Sequence, residues 1–256
     1  MGKPLKERLL AQELTIGSWI TLAHPTIAEL LANAGFDWLA VDLEHSSITI
    51  KEAEELIRVI NLSGVGALVR LTNNDPNVIK RVMDSGATGI IVPNINTASE
   101  ARQAVSAVRY PPFGMRGVGL ARAHRWGNRF QEYLTWQEKE SVVIVQIEHI
   151  DALDNLDEIF KVPGVDGCII GPYDLSMSMG IPGQFEDIGF VNTIKSIKRS
   201  AEDNNKPVGL HVIEPDIKEL NRRIDENYNF LAFSLDVRMV DVSARQINTI
   251  RRGEFV

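Results

Sequence analysis

The chain has a single cysteine, Cys168, among 256 residues. That excludes an intrachain disulfide and any cysteine-cluster metal site. Cys168 lies in the apolar run G-C-I-I, where a small core residue is expected. Long apolar runs are also missing, and none approaches the ~18 residues of a membrane helix. The first ten residues, M-G-K-P-L-K-E-R-L-L, lack the apolar stretch of a signal peptide. Gly2 lacks the Ser or Thr that a myristoylation motif requires. No long basic block occurs and the net charge is −7, so neither nucleic acid nor an anionic membrane is an expected partner. H-E-x-x-H is absent, which argues against a histidine-bound zinc, and G-x-S-x-G is absent, which argues against a serine hydrolase. No linker, repeat or low-complexity stretch divides the sequence. The expectation is a cytoplasmic protein with one domain over residues 1–256, whose 44% hydrophobic content fills one large core.

What is present is an alternation. Short apolar runs occur at Thr15–Ile20, Trp38–Asp42, Gly66–Leu71, Gly89–Val92, Val142–Ile147, Gly167–Ile170, Val208–Val212 and Phe230–Ser234. Many are rich in β-branched residues, as suits strands buried on both faces. Helical patterns separate them. Pro25–Ala34 starts with proline and stops before Gly35. Thr49 opens T-I-K-E, a capping box closed by Glu52, and Asp75 precedes Pro76 as cap and first-turn proline. Thr97–Val108, Ile150–Phe160, Val191–Asn204, Pro215–Asn227 and Val237–Arg252 complete the set. Strand then helix, eight times, predicts an α/β fold of the (β/α)₈ TIM-barrel type, with an open doubly wound sheet as the alternative. One connection is unusual. Tyr110 to Phe130 is a long loop with four arginines and three aromatic residues after Tyr110, and loops beyond about 12–15 residues are often functional.

In such a barrel the C-terminal strand ends share one mouth. The polar residues there are few: Trp19, Asp42, Glu44, His45, Arg70, Gln146, Glu148, Asp174 and His211. Glu148 and Asp174 follow separate strands, an oxygen-rich pair suited to a hard divalent cation with positions left for water and substrate. Taken singly, each reads first as a cap on the following helix, and only the pair together with the other mouth residues favours the metal. His45 suits proton transfer near neutral pH, or a surface or capping role, with Asp42 and Glu44 close enough to orient it. Arg70 is either the partner of a rim carboxylate or a clamp on developing negative charge. Trp19 is core or pocket wall. The G-P-Y-D turn lets the amides of Tyr173 and Asp174 approach a small carboxylate. His24, His124 and His149 are weaker candidates. No strand exit carries a lysine suited to an imine, so carbon–carbon lyase chemistry would use a metal.

Five segments then match a family in order and spacing: V-D-L-E-H-S at 41–46, L-V-R at 68–70, R-Y-P-P-F-G-M-R-G-V-G at 109–119, Q-I-E at 146–148 and G-P-Y-D-L-S at 171–176. Over roughly residues 5 to 250 the sequence resembles the class II, metal-dependent pyruvate aldolases. This family includes 2,4-dihydroxyhept-2-ene-1,7-dioate, 2-dehydro-3-deoxyglucarate and 2-keto-3-deoxyrhamnonate aldolases. The resemblance implies a barrel of the phosphoenolpyruvate/pyruvate type. Its last helix would swap between subunits of a homohexamer, a trimer of dimers. It implies Mg²⁺, Mn²⁺ or Co²⁺ on Glu148 and Asp174, and His45 as general base. Asp84 would raise the basicity of His45, from a neighbouring subunit if not its own. Arg70 would stabilise an enolate, and Gln146 with the Tyr173–Asp174 backbone would bind pyruvate. The implied reaction is reversible cleavage of a 4-hydroxy-2-oxo acid to pyruvate and an aldehyde. Two alternatives stand beside it: an acyl-CoA lyase like the citrate lyase beta subunit, and a non-enzymatic oligomeric metal-binding protein. The sequence departs from the family pattern at the shortened G-V-G-L-A-R-A, at Asn94, at Tyr173 and at His211–Val212. These changes surround the mouth and point to a polar, sugar-derived aldehyde.

Overall fold

The structure, a computed structural model, describes residues 3–249. Eight parallel strands close into a barrel in chain order. They are β1 (Thr15–Ile20), β2 (Trp38–Asp42), β3 (Gly66–Arg70), β4 (Gly89–Val92), β5 (Val142–Ile147), β6 (Gly167–Ile170), β7 (Val208–Val212) and β8 (Phe230–Leu235). Closure is made by β8 against β1, with Thr15 opposite Phe230, which rules out the open sheet. The expected strand bounds hold except that β3 stops at Arg70 and β8 runs on to Leu235.

Side chains alternate across each strand, so the wall has two apolar layers. Inside lie Trp19, Trp38, Leu68, Ile91, Ile144 and Phe230, with Trp38 stacked on Phe230 at 4.5 Å between ring centroids. The Trp38 ring occupies the space beside Gly17, where a Cβ would sit 2.0 Å from it. Outside, Leu39, Val41, Val69, Ile90, Val143 and Val145 face the helices. Continuing the inward row upward from Trp38, Leu68 and Ile144 leads to Asp42, Arg70 and Gln146. The interior therefore turns from apolar to polar at the strand exits.

The helices are α1 (Leu5–Leu10), α2 (Pro25–Ala32), α3 (Ile50–Leu62), α4 (Pro76–Asp84), α5 (Ala98–Val108), α6 (Phe130–Lys139), α7 (Leu156–Phe160), α8 (Pro172–Ser178), α9 (Ile188–Asp203), α10 (Ile217–Asp225) and α11 (Asp236–Arg245). The capping box of Thr49 and Glu52 forms at α3, and Asp75 caps α4 through Asn77 N at 2.8 Å. α9 begins earlier than its apolar pattern suggests because Asp187 accepts from Gly189 N and Phe190 N. The helix expected at Ile150–Phe160 divides into a 3₁₀ turn, Ile150–Asn155, and α7. Of the expected Val237–Arg252, α11 and a 3₁₀ turn at Gln246–Thr249 are seen. The remainder lies outside the described residues.

The sequence reading omits α1, α6 and α8. α1 lies at the N-terminal end of the strands, where Leu5 and Leu9 join the inner core and Lys6 pairs with the buried Asp166 at 2.9 Å. α6 follows the long loop, which is held rather than slack. Arg116, its side chain fully buried, packs on Tyr110 and Tyr133 and meets Asp84 at 2.5 Å. His124, also buried, accepts from Gly127 N at 2.9 Å, and Arg125 and Trp126 take left-handed backbone conformations around it.

Candidate active site

At the C-terminal mouth a cavity of about 330 Å³ is lined by Trp19, His45, Arg70, Gln146, Tyr173, Asp174 and His211, with Ile169 to Pro172 and Ile213. Arg70 and Asp42 are register partners on β3 and β2 and both point inward. The guanidinium grips Asp42 with two bonds, Nε to Oδ1 at 2.9 Å and Nη2 to Oδ2 at 2.6 Å. It lies 4.4 Å above the Trp19 ring and 3.5 Å from Glu44. The ion-pair reading of Arg70 therefore holds, and the same guanidinium also lines the cavity. Trp19 is likewise both buried and a wall.

Glu148 leaves β5 buried and turned into the molecule. One carboxylate oxygen accepts from the Asn94 amide at 2.8 Å and the other from the Gln146 side chain. Asn94 takes a left-handed conformation, which asparagine tolerates. Burial raises the Glu148 pKa against the opposing effect of these bonds, and Asp174 adds repulsion. Room for this carboxylate depends on Gly171, where a Cβ would stand 2.5 Å from Glu148 Oε2. Glu148 caps nothing; His149 does that, accepting from Asp151 N at 3.2 Å. Asp174 sits in the first turn of α8, which no side chain caps, beside Tyr173 packed edge-on to Phe185.

The sequence reading gives Glu44, in V-D-L-E-H, only the part of orienting His45. Burial pushes its pKa to about 7 despite Arg70, and Glu148, Asp42 and Asp174 push the same way. Its Oε2 is buried and takes no hydrogen bond. Three carboxylates, Glu44, Glu148 and Asp174, thus act on one another at the mouth with one arginine, itself bound to Asp42. An all-oxygen donor set with excess negative charge and an orphaned oxygen fits a hard divalent cation. No group of three or more His, Cys, Asp or Glu converges as a ready ligand set among the described residues.

His45 follows β2, largely exposed, with its ring 3.8 Å from Glu44. Asp84 does not meet it within the chain. As the last residue of α4 it lies near the opposite end of the barrel, five residues before β4, and holds Arg116. His24 caps α2 through Thr26 N and His124 braces the long loop; neither lines the cavity. His211 on β7 does belong. It lines the cavity, meets the Trp19 ring at 5.7 Å and has its pKa lowered to about 4 by burial.

A family model, HpcH/HpaI aldolase/citrate lyase, matches residues 15–241. The chain belongs to that family. Its members' names mark this enzyme as a carbon–carbon lyase. A 2-keto-3-deoxy-L-rhamnonate aldolase of Shigella dysenteriae serotype 1 is 37% identical over 241 residues, 93% of this chain and 89% of that one. The structure of an HpcH/HpaI aldolase from Desulfitobacterium hafniense DCB-2 superposes with a TM-score of 0.90 at 31% identity, covering 98% of each chain. The citrate lyase beta subunit of M. tuberculosis, at 13% identity and a TM-score of 0.59 over 88% of this chain and 93% of that one, shares the fold alone. The acyl-CoA lyase alternative is thus a distant relation.

Proposed function

We propose that the chain is a class II pyruvate aldolase that cleaves a 4-hydroxy-2-oxo acid of the 2-keto-3-deoxy sugar acid type to pyruvate and an aldehyde. The observation that carries this is the buried Glu148, electrostatically coupled to Asp174, behind a cavity whose lining presents Asp174, Arg70 and His45. Glu148 and Asp174 would hold Mg²⁺, Mn²⁺ or Co²⁺, which when bound supplies Lewis-acid polarisation of the 2-oxo group. In the synthetic direction His45 takes a methyl proton from pyruvate, and the electron pair left behind delocalises onto the 2-oxo oxygen. Arg70, fixed in plane by Asp42 and Trp19, faces that oxygen and stabilises its charge. The methylene carbon then bonds to the aldehyde carbon, and the aldehyde oxygen takes a proton. Cleavage reverses each step. Gln146 holds the Glu148 carboxylate in place and lines the pyruvate subsite, and the uncapped amides of Tyr173 and Asp174 receive the substrate carboxylate.

The same reading covers the assembly: a cytoplasmic homohexamer, a trimer of dimers with swapped terminal helices, in which Asp84 of one copy approaches His45 of another. Exposed Val237, Val240 and Ile247 around α11, and Phe113, Met115, Val118 and Leu120 on the long loop, support association. No helix among the described residues is long and apolar enough to cross a membrane.

The deciding experiment is proton-exchange NMR of pyruvate in D₂O with metal-loaded protein and no aldehyde. Methyl exchange should be catalysed, and chelator should stop it. A metal-loaded protein that leaves the methyl protons unexchanged overturns the proposal.

A further inference from the structure

His211 is the one polar residue of the cavity that the proposed reaction does not use. Its Nε2 lies 3.1 Å from the Ser234 carbonyl oxygen. A carbonyl only accepts, so Nε2 carries the proton and Nδ1 of the neutral ring is an acceptor. The carbonyl is not free to turn away. Ser234 is fully buried at φ 52°, its Oγ donates to Ile213 O at 2.9 Å, and Ser18 Oγ donates to the same Ser234 carbonyl at 3.3 Å. A left-handed serine fixed from both sides over-determines the direction of that bond. The edge contact with Trp19 steadies the ring from the side. Nδ1 is not among the buried polar atoms that lack a partner, and no hydrogen bond joins it to the described residues. It is therefore an acceptor open to the cavity that His211 lines.

We propose that His211 is a specificity-determining residue for the aldehyde half of the substrate, with Nδ1 accepting a hydrogen bond from a hydroxyl on that half. This rests on the aldolase reading and deepens it. The ring stays neutral at physiological pH, since burial and Arg70 both oppose its protonation, so it offers no charge to a second carboxylate. Arg70, the one arginine or lysine among the described residues that line the cavity, is already bound to Asp42. A hydroxylated tail fits that chemistry. A carboxylate tail lacks a cation, and an apolar tail leaves Nδ1 desolvated without a partner.

The test compares glycolaldehyde with propanal, which have equal numbers of heavy atoms, as acceptors for pyruvate with the metal-loaded wild-type enzyme. Methyl exchange of pyruvate is recorded in every sample. Wild type should favour glycolaldehyde in kcat/KM. In His211→Leu the glycolaldehyde-to-propanal ratio should fall about five- to tenfold, the scale of one neutral hydrogen bond. The loss should lie mainly in the glycolaldehyde KM. His211→Asn puts an amide oxygen near the Nδ1 position and should restore part of the ratio. A wild type without preference, or a ratio unmoved in a variant that still exchanges pyruvate protons, overturns the inference and leaves the aldolase reading standing. A wild type that exchanges no pyruvate protons removes the aldolase reading and this inference together.

Discussion

Arg70 carries two duties that a substitution should separate. Its forked bond to Asp42 satisfies a carboxylate that is 1% exposed, while its remaining face looks into the cavity. Arg70→Ala should slow pyruvate exchange by about 10²–10³-fold, the effect of losing one charge-stabilising donor. It should also cost about 3–5 kcal/mol of stability by stranding Asp42. Arg70→Lys keeps the charge and loses the fork, so it should recover part of each. Exchange NMR and urea denaturation on the same preparations read both; a variant with wild-type exchange removes Arg70 from enolisation. Glu44 makes a second prediction. The native carboxyl titrates near 7, whereas an unfolded glutamate titrates near ~4.3. Below both values each state is protonated and Glu44 contributes nothing. As pH rises between them the unfolded chain releases its proton first, so the native state loses stability, and the loss is complete above the native value. In chelator-treated protein, Glu44→Gln should therefore gain on wild type between about pH 4.5 and 7.5. Equal stability differences at pH 5 and pH 8 would rule out the shifted carboxyl.

At the scale of elements, the junction of β6 and α8 is the tightest point of the site. Gly171 has φ −91°, a value any residue adopts, so its constraint is space alone. Gly171→Ala would drive a methyl into Glu148. The expected outcome is a modest destabilisation, about 1–3 kcal/mol, with a much larger loss of metal affinity measured by calorimetry. Wild-type metal affinity would show that Glu148 does not need its present position. The strands were legible in the sequence because each is a short run bounded by turns and helices, and the strand exits drew attention to Glu148, Asp174, Arg70 and His45. α1 was not, since six residues give too little periodicity, and α8 hides behind Gly171–Pro172, which read as a turn. Two facts were out of reach for a physical reason. The backbone of Arg125 and Trp126 is set by the buried His124, and the partner of Asp84 is Arg116, 32 residues away. Glu44 was visible beside His45, but its coupling to Glu148 and Asp174 exists only once β2, β5 and α8 meet.

For the whole molecule, the absence of a lysine among the described residues lining the cavity has a direct test. Borohydride with pyruvate should trap no adduct, chelator should abolish turnover, and Mg²⁺, Mn²⁺ or Co²⁺ should restore it. A lysine adduct seen by mass spectrometry would sink the class II assignment. Association is tested at α11. Val240 is 57% exposed in the single chain, so Val240→Asp should leave the fold's circular dichroism unchanged. It should lower the sedimenting mass, and activity should fall with it if the proposed assembly brings Asp84 of a neighbouring copy to His45. An unchanged mass would take α11 out of the interface. Barrel closure has its own consequence, felt before any substrate arrives. The first strand is completed only by the last, Thr15 against Phe230. A ribosome adding about 5–20 residues per second leaves β1 waiting on the order of 10–40 s for its partner. Throughout that interval an unpaired edge is available to any other nascent strand. Each round of translation thus has a window of vulnerability whose length is set by the distance between the first strand and the last.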